Sequence, residues 1–151
     1  IELVKRLFAE FSGVVVGIKD SSGDWENTKA LLGIKGLIVY PGAELPVIDA
    51  IRLGAPGCIS ATANLNGSDI SEVIDLCHAG KWDEAEEKHK KVRAVRLMFQ
   101  DYAPIPAQKA LLAKSTGNGN WENLRPPMQP MTADKLSTLI DSLASQFDMH
   151  F

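Results

Sequence analysis

The stretch Gly13-Val14-Val15-Val16-Gly17-Ile18-Lys19-Asp20-Ser21-Ser22-Gly23-Asp24 decides how this chain folds. Its β-branched apolar run is continuous rather than alternating, so we expect a strand from Val14 to Lys19 that is buried on both faces. Lys19 falls at the carboxyl end of this strand, directly before a polar turn that contains glycine. In α/β proteins this end of a strand is where the chemistry is usually placed.

The position of Lys19 allows two interpretations. An ammonium group held partly away from water tends to lose its proton, and a neutral amine can attack a carbonyl to form a Schiff base. The alternative is an ordinary lysine with its head in solvent or paired with Asp20. Lysines at strand ends are common, so this stretch taken alone favours the ordinary lysine.

The composition is that of an ordinary globular protein. The 151 residues are 45% hydrophobic and 23% charged, which is enough apolar material for the core of one domain. The net charge is −3 without a basic stripe, so we expect neither a nucleic-acid partner nor a membrane partner. Cys58 and Cys77 lie in apolar contexts without metal spacing, which predicts reduced core cysteines in a reducing compartment.

Strands and helices alternate through the first half of the sequence. Lys19, Tyr40 and Ser60 each end a predicted strand, about one strand–helix unit apart, which predicts a parallel sheet with crossover helices. This regular spacing favours a (β/α) barrel over a sandwich. The predicted strands cover residues 14–19, 36–40 and 58–60, and the predicted helices cover 1–11, 25–32, 44–53 and 68–78, with a loop of small residues at 61–65.

A closed barrel needs eight strands and about 250 residues. Three strands cannot close, and the helical pattern at Ile1–Phe8 begins without an initiator Met or a cap, so we expect the chain to be part of a longer protein.

After Gly80 the pattern becomes helical. A long helix is predicted from Trp82 to Phe99, and its alternating charges indicate a solvated face on which His89 lies at the surface. Helices at 107–114 and after Thr132, separated by a loop at 115–123, follow. We therefore expect two parts, a barrel portion at residues 1–80 and a helical domain at residues 81–151.

The motif Gly17–Asp24 closely resembles the Schiff-base lysine strand of the dihydrodipicolinate synthase/N-acetylneuraminate lyase family. Residues 54–64 resemble the eighth strand of that family and the loop after it. Residues 104–110 and 124–128 resemble its C-terminal helical domain. Three matches in the right order cover nearly the whole chain and favour a reactive Lys19. The resemblance implies an α/β fold: the C-terminal part of a (β/α)8 TIM barrel, strands six to eight, followed by the helical domain.

The resemblance also implies a chemistry. The family acts on pyruvate, or on a 2-keto acid that releases it, through an imine on the lysine. The protonated imine is electron-poor, so it loses a proton and becomes an enamine. In the direction of synthesis the enamine attacks an aldehyde. In the reverse direction the enamine forms when a carbon–carbon bond breaks. The implied protein is a cytoplasmic lyase or synthase that needs neither metal nor other cofactor and forms a homodimer or homotetramer. The chain by itself is expected to be inactive.

Individual residues carry over as follows. Lys19 matches the Schiff-base nucleophile, and Gly42 matches a glycine whose backbone lies beside the substrate. Ile59 matches a residue whose carbonyl faces the lysine, and Ser21 sits where some members place a hydroxyl near the substrate carboxylate. Glu44 is the one residue that could stand in for the acidic pair of the sialic-acid lyases. The matching substrate-binding residues are therefore Ser21, Gly42, Glu44 and Ile59.

Departures from the family pattern keep the reaction open. Many synthases have Ser-Gly-Asp-Asp where this chain has Pro41-Gly42-Ala43-Glu44, and the Lys-Phe-Thr pattern of the sialic-acid lyases is Lys19-Asp20-Ser21 here. Condensation of pyruvate with an aldehyde is favoured. A 2-keto-3-deoxy sugar acid aldolase or dehydratase stays open, as do a non-catalytic keto-acid-binding homologue and a purely structural half-barrel.

Overall fold

The computed structural model describes residues 1–151 and has a mixed α/β architecture, in which one small parallel sheet is followed by helices. The elements are α1 (Glu2–Glu10), β1 (Gly17–Asp20), α2 (Trp25–Leu32), β2 (Ile38–Pro41), α3 (Val47–Arg52), α4 (Ala63–His78), α5 (Trp82–Met98), α6 (Pro104–Thr116) and α7 (Ala133–Phe147). Short 3₁₀ turns lie at Phe99–Asp101 and Gly119–Glu122. No helix combines the length and the apolar character that crossing a membrane requires.

The first strand is shorter and more exposed than the sequence predicts. β1 begins at Gly17, and the preceding side chains of Val14 and Val16 are 80% and 54% exposed. β1 pairs in parallel with β2, with Lys19 opposite Tyr40, and its other edge has no neighbouring strand. The expected burial on both faces is wrong, because a continuous apolar run is buried only where other elements cover it.

The predicted strand at Cys58–Ser60 is not formed. Its only backbone link to the sheet is the Ile59 N–H, which donates to the Pro41 carbonyl at 3.0 Å. One such bond does not make a ladder, so the segment lies beside the end of β2 without extending the sheet. The second strand, predicted to cover residues 36–40, runs instead from Ile38 to Pro41.

Two helix starts differ from the prediction. α3 begins at Val47 rather than Glu44, because residues 42–46 form the turn that leaves β2. α4 begins at Ala63 rather than Ser68, so part of the predicted loop at 61–65 is helical. Asn66 has φ −123° and ψ 30°, which bends α4 close to the predicted start. The helices of the second half follow the prediction closely. α5 ends one residue before the predicted Phe99, and α6, Pro104–Thr116, includes the predicted residues 107–114.

α5 connects the two halves of the chain, because it contributes to two separate apolar cores. Its first turns pack with α3 and α4, and its last turns pack with α6 and α7. The largest fully buried side chain, Phe99, follows directly after α5. A third cluster lies under the sheet. The three cores include Val47, Val73 and Val92; Val95, Phe99, Leu111, Leu139 and Leu143; and Leu31, Leu37 and Val39.

Two single-residue expectations have different outcomes. Both cysteines are free, and Cys77 is buried in the first core with Cys58 packed against it, as predicted. The expectation that His89 lies at the surface is wrong, since only 4% of this residue is exposed. The charged face of α5 does not include His89, which is turned toward the loop after β2.

Candidate functional site

The loops after β1 and β2 meet at the carboxyl edge of the sheet, because parallel strands end on the same side. The Gly42 N–H donates to the Asp20 carbonyl at 2.6 Å. A Cβ atom on Gly42 would lie 2.7 Å from the Ser21 Oγ and 2.8 Å from the Asp20 carbonyl oxygen. Only glycine fits there, so the structure brings the predicted residues Ser21 and Gly42 into contact.

Lys19 lies at the carboxyl end of β1 and is exposed. Successive strand residues point to opposite faces, and the carboxylate of the next residue, Asp20, is bonded to Thr28 of α2. The Lys19 side chain therefore extends from the face that α2 does not cover.

Asp20 is buried, and both of its carboxylate oxygens accept hydrogen bonds, one from α2 and one from the loop before it. Its Oδ2 accepts from the Thr28 hydroxyl at 2.5 Å and its Oδ1 accepts from the Ser22 N–H at 3.0 Å. Burial alone would raise the pKa of Asp20, but these hydrogen bonds outweigh it and hold the pKa below its ordinary value. Of the two arrangements in the ordinary-lysine interpretation, the Lys19–Asp20 pair is not formed, because Asp20 bonds to Thr28 and Ser22. The other arrangement, a lysine head in solvent, agrees with the exposure of Lys19.

Glu44 forms a buried cluster that the sequence analysis did not anticipate. Its side chain is 0% exposed, and its two carboxylate oxygens accept from the hydroxyls of Ser60 and Thr62. These hydroxyls are 2.9 Å apart, and Thr62 is 1% exposed. Both oxygens of the residue matched to substrate binding are therefore occupied by protein hydroxyls, and its side chain is sealed from solvent.

The backbone of Glu44 ties the same loop to the second half of the chain. The His89 Nε2 donates to the Glu44 carbonyl oxygen at 2.8 Å, and the Arg93 guanidinium donates to the Leu45 carbonyl at 3.2 Å. α5 therefore holds the backbone of the β2–α3 loop, while Ser60 and Thr62 hold the Glu44 side chain of the same loop. Ile59, 45% exposed, lies next to this loop through its bond to Pro41.

A cavity of about 420 Å³ opens beside the two loops, between α2, α3 and α5. Ser21 and Gly42 line it, whereas Lys19, Glu44 and Ile59 do not. Arg93 and Arg96 of α5 also line it, and no sequence signal distinguishes them from the other charged residues of this helix. No three or more His, Cys, Asp or Glu side chains converge as metal ligands would.

Cys58 lies near Glu44, and its environment makes its thiol unreactive. Burial raises the pKa of the Cys58 thiol to about 12, and the nearby Glu44 carboxylate acts in the same direction. A thiol at this pKa is protonated at neutral pH, so Cys58 is not a nucleophile of this region.

Known proteins resemble this chain over nearly its whole length. The profile of the Dihydrodipicolinate synthetase family matches residues 1–146. A 4-hydroxy-tetrahydrodipicolinate synthase from Buchnera aphidicola is 32% identical over 117 residues, 76% of this chain and 39% of the relative. One from Methanococcus maripaludis is 29% identical over 141 residues, 93% of this chain and 47% of the relative.

A solved structure shows the same likeness. The crystal structure of dihydrodipicolinate synthase from Agrobacterium tumefaciens superposes with a TM-score of 0.79 at 28% identity, covering 97% of this chain and 48% of that chain. The chain thus spans about half the length of the relatives that it matches.

Proposed function

Because the chain belongs to the Dihydrodipicolinate synthetase family, we propose that it carries the Schiff-base lysine of a pyruvate-dependent class I lyase or synthase. The observation that carries the proposal is the place of Lys19. It stands at the carboxyl end of a parallel strand, on the face away from α2, beside loops that hold Ser21 against Gly42. The relatives' names favour condensation of pyruvate with an aldehyde over cleavage of a sugar acid.

In the proposed reaction the neutral amine of Lys19 attacks the keto carbon of pyruvate and water leaves, which gives an imine. The protonated imine withdraws electrons, so a methyl proton is lost and an enamine forms. The enamine carbon then attacks the aldehyde carbon, and hydrolysis of the new imine returns the free amine. The amine must be neutral to attack, whereas the imine must be protonated to withdraw electrons. Lys19 is exposed in this chain, and shielding by further strands would favour the neutral amine.

We place the neighbouring residues around this lysine. The Ser21 hydroxyl faces the substrate carboxylate, the backbone of Gly42 lies along the substrate, and the Ile59 carbonyl faces the lysine. Glu44 supports the loop that carries Gly42 and does not bind substrate, since Ser60 and Thr62 hold both of its oxygens.

The fold proposal is that residues 1–80 supply strands six to eight of a (β/α)8 barrel and that residues 81–151 form its helical domain. Parallel sheets are normally covered on both faces, and a closed barrel has no free edge. Here one edge of β1 is unpaired, and Val16, Ile38 and Ile59 are 54%, 44% and 45% exposed. Further strands that close the barrel would cover these residues and complete the surroundings of Lys19. The chain by itself is therefore expected to be inactive, and the complete protein to act in the cytoplasm as a homodimer or homotetramer.

Exchange of the pyruvate methyl protons tests the proposed chemistry. The protein would be a chimera in which the first half of the Agrobacterium tumefaciens relative is joined to this chain, because the fold proposal places the remaining strands of the barrel before residue 1. In D₂O, enamine formation replaces methyl protons by deuterium, and proton NMR then shows the methyl signal falling faster than in buffer. A Lys19→Arg chimera, which keeps the charge but cannot form the imine, should show only the buffer rate. Equal rates for both folded chimeras would refute the proposal.

A further inference from the structure

We propose that the cavity between α2, α3 and α5 binds a small molecule through an oxyanion group, a carboxylate or a phosphate, with Arg96 as the main ligand. Arg96 lines the cavity, and its Nε is buried without any hydrogen-bond partner. Nearly all buried polar groups in proteins are hydrogen-bonded, so such a group needs an explanation.

An oxyanion is the partner that a guanidinium group fits best. Arginine stays charged at every pH at which proteins fold, and it presents five N–H donors in a fixed fork. Two of these donors bond side by side to the oxygens of a carboxylate or phosphate. Arg96 lines the cavity and is only partly buried, so an oxyanion in the cavity would give its guanidinium group a charged partner that the protein does not supply.

A second guanidinium lies on the same side of α5. Arg93 precedes Arg96 by three residues, so the two side chains are neighbours on the helix surface. One nitrogen of Arg93 donates to the Leu45 carbonyl at 3.2 Å, which holds the group at the cavity wall and leaves other donors available. Together the two guanidinium groups have more N–H donors than the neighbouring protein acceptors bind.

The acidic residues around the cavity do not take the place of the ligand. Asp20 is bonded to Thr28 and Ser22, Asp24 accepts from the Glu26 N–H at the start of α2, and Asp49 pairs with Arg52 at 3.1 Å. None of these carboxylates forms an ion pair with Arg96.

The cavity is of ligand size and does not include Lys19, although it shares Ser21 and Gly42 with the proposed pyruvate site. Its volume of about 420 Å³ falls within the range of small-molecule sites. Lys19 does not line it, because the strand directs Lys19 to the face opposite Asp20 and α2. The proposal therefore stands whether or not Lys19 forms an imine.

Calorimetric titration of the purified chain tests the site, with inorganic phosphate and succinate as the two probes and chloride at matched ionic strength as the reference. We expect saturable one-site binding of at least one probe, and the preferred probe tells a phosphate source from a carboxylate source. Arg96→Gln should weaken binding roughly tenfold or more, and Arg93→Gln by a smaller factor. Arg6→Gln, which removes an exposed arginine on α1, should leave binding unchanged.

Two results would overturn the proposal: no saturable binding of either probe, or equal binding by the wild-type chain and the Arg96→Gln chain. Circular dichroism first establishes that each variant is folded. If Arg96→Gln does not fold, Arg96→Lys takes its place. This variant keeps the charge and loses the fork, so weaker binding supports the site and unchanged binding rejects it.

Discussion

Replacement of Thr62 by valine is the sharpest test of the buried cluster around Glu44. Valine matches the shape of threonine, so the side chain, 1% exposed, keeps its packing while Glu44 loses one of its two hydroxyl partners. A hydrogen bond to a charged group contributes about 1.5–3 kcal/mol, and its loss leaves a buried acceptor unsatisfied. We expect Thr62→Val to lower the free energy of unfolding by about 2 kcal/mol.

The charge on Glu44 determines how large this effect is. In a Glu44→Gln background the same hydroxyl bonds to a neutral amide, and such a bond contributes about 1 kcal/mol. The Thr62→Val substitution should then lower the free energy of unfolding by about 1 kcal/mol, which leaves a coupling energy of roughly 1 kcal/mol for the double-mutant cycle.

Urea unfolding followed by far-UV circular dichroism gives the four free energies of the cycle. Thr138→Val is the matched control, because the exposed Thr138 hydroxyl donates to the Asp134 carbonyl within α7 at 2.9 Å. This control should change the free energy of unfolding by less than about 0.5 kcal/mol. A loss of that small size for Thr62→Val, or an equal loss in both Glu44 backgrounds, would refute the reasoning.

Three further predictions concern single groups. Asp24→Ala should destabilise the chain by about 1 kcal/mol in urea unfolding, because the Asp24 carboxylate caps the first turn of α2. The pKa of Asp20 is lower in the folded chain than in the unfolded chain, so its contribution to stability is present above the unfolded value of about 3.9 and is lost as the pH falls through the folded value. Thr28→Val should accordingly destabilise the chain more at pH 7 than at pH 3, and equal losses would contradict this. The Cys58 thiol, whose pKa is raised to about 12, should resist alkylation by iodoacetamide at pH 8 in the folded chain and react only after unfolding, as mass spectrometry of digested peptides would show.

Signals that lie within a few neighbouring residues predicted the structure well. Helix α2 covers its predicted residues, 25–32, behind the Asp24 cap, and the position of Lys19 near the end of β1 follows from the apolar run before it. The long helix after Gly80 also begins at the predicted residue, Trp82. Caps, turns and periodicity act over one or two turns of chain, so the sequence displays them directly.

Features that depend on distant contacts were not predictable in the same way. Glu44 meets Ser60 and Thr62, which lie 16 and 18 residues later, and His89 is buried by a contact with a loop 45 residues earlier. The local charge pattern of α5 gave no sign of that contact. The exposure of Val14 has the same origin, because the burial of an apolar run is decided by the elements that lie next to it.

The most direct test of the central claim is borohydride trapping of pyruvate on Lys19. The folded chimera with the first half of the Agrobacterium tumefaciens relative would be incubated with pyruvate, reduced, digested and examined by mass spectrometry. We predict a stable reduced adduct on the peptide that contains Lys19, absent from the Lys19→Arg chimera and from the relative's first half alone. A folded chimera with no adduct, or with its adduct on another lysine, would contradict the account.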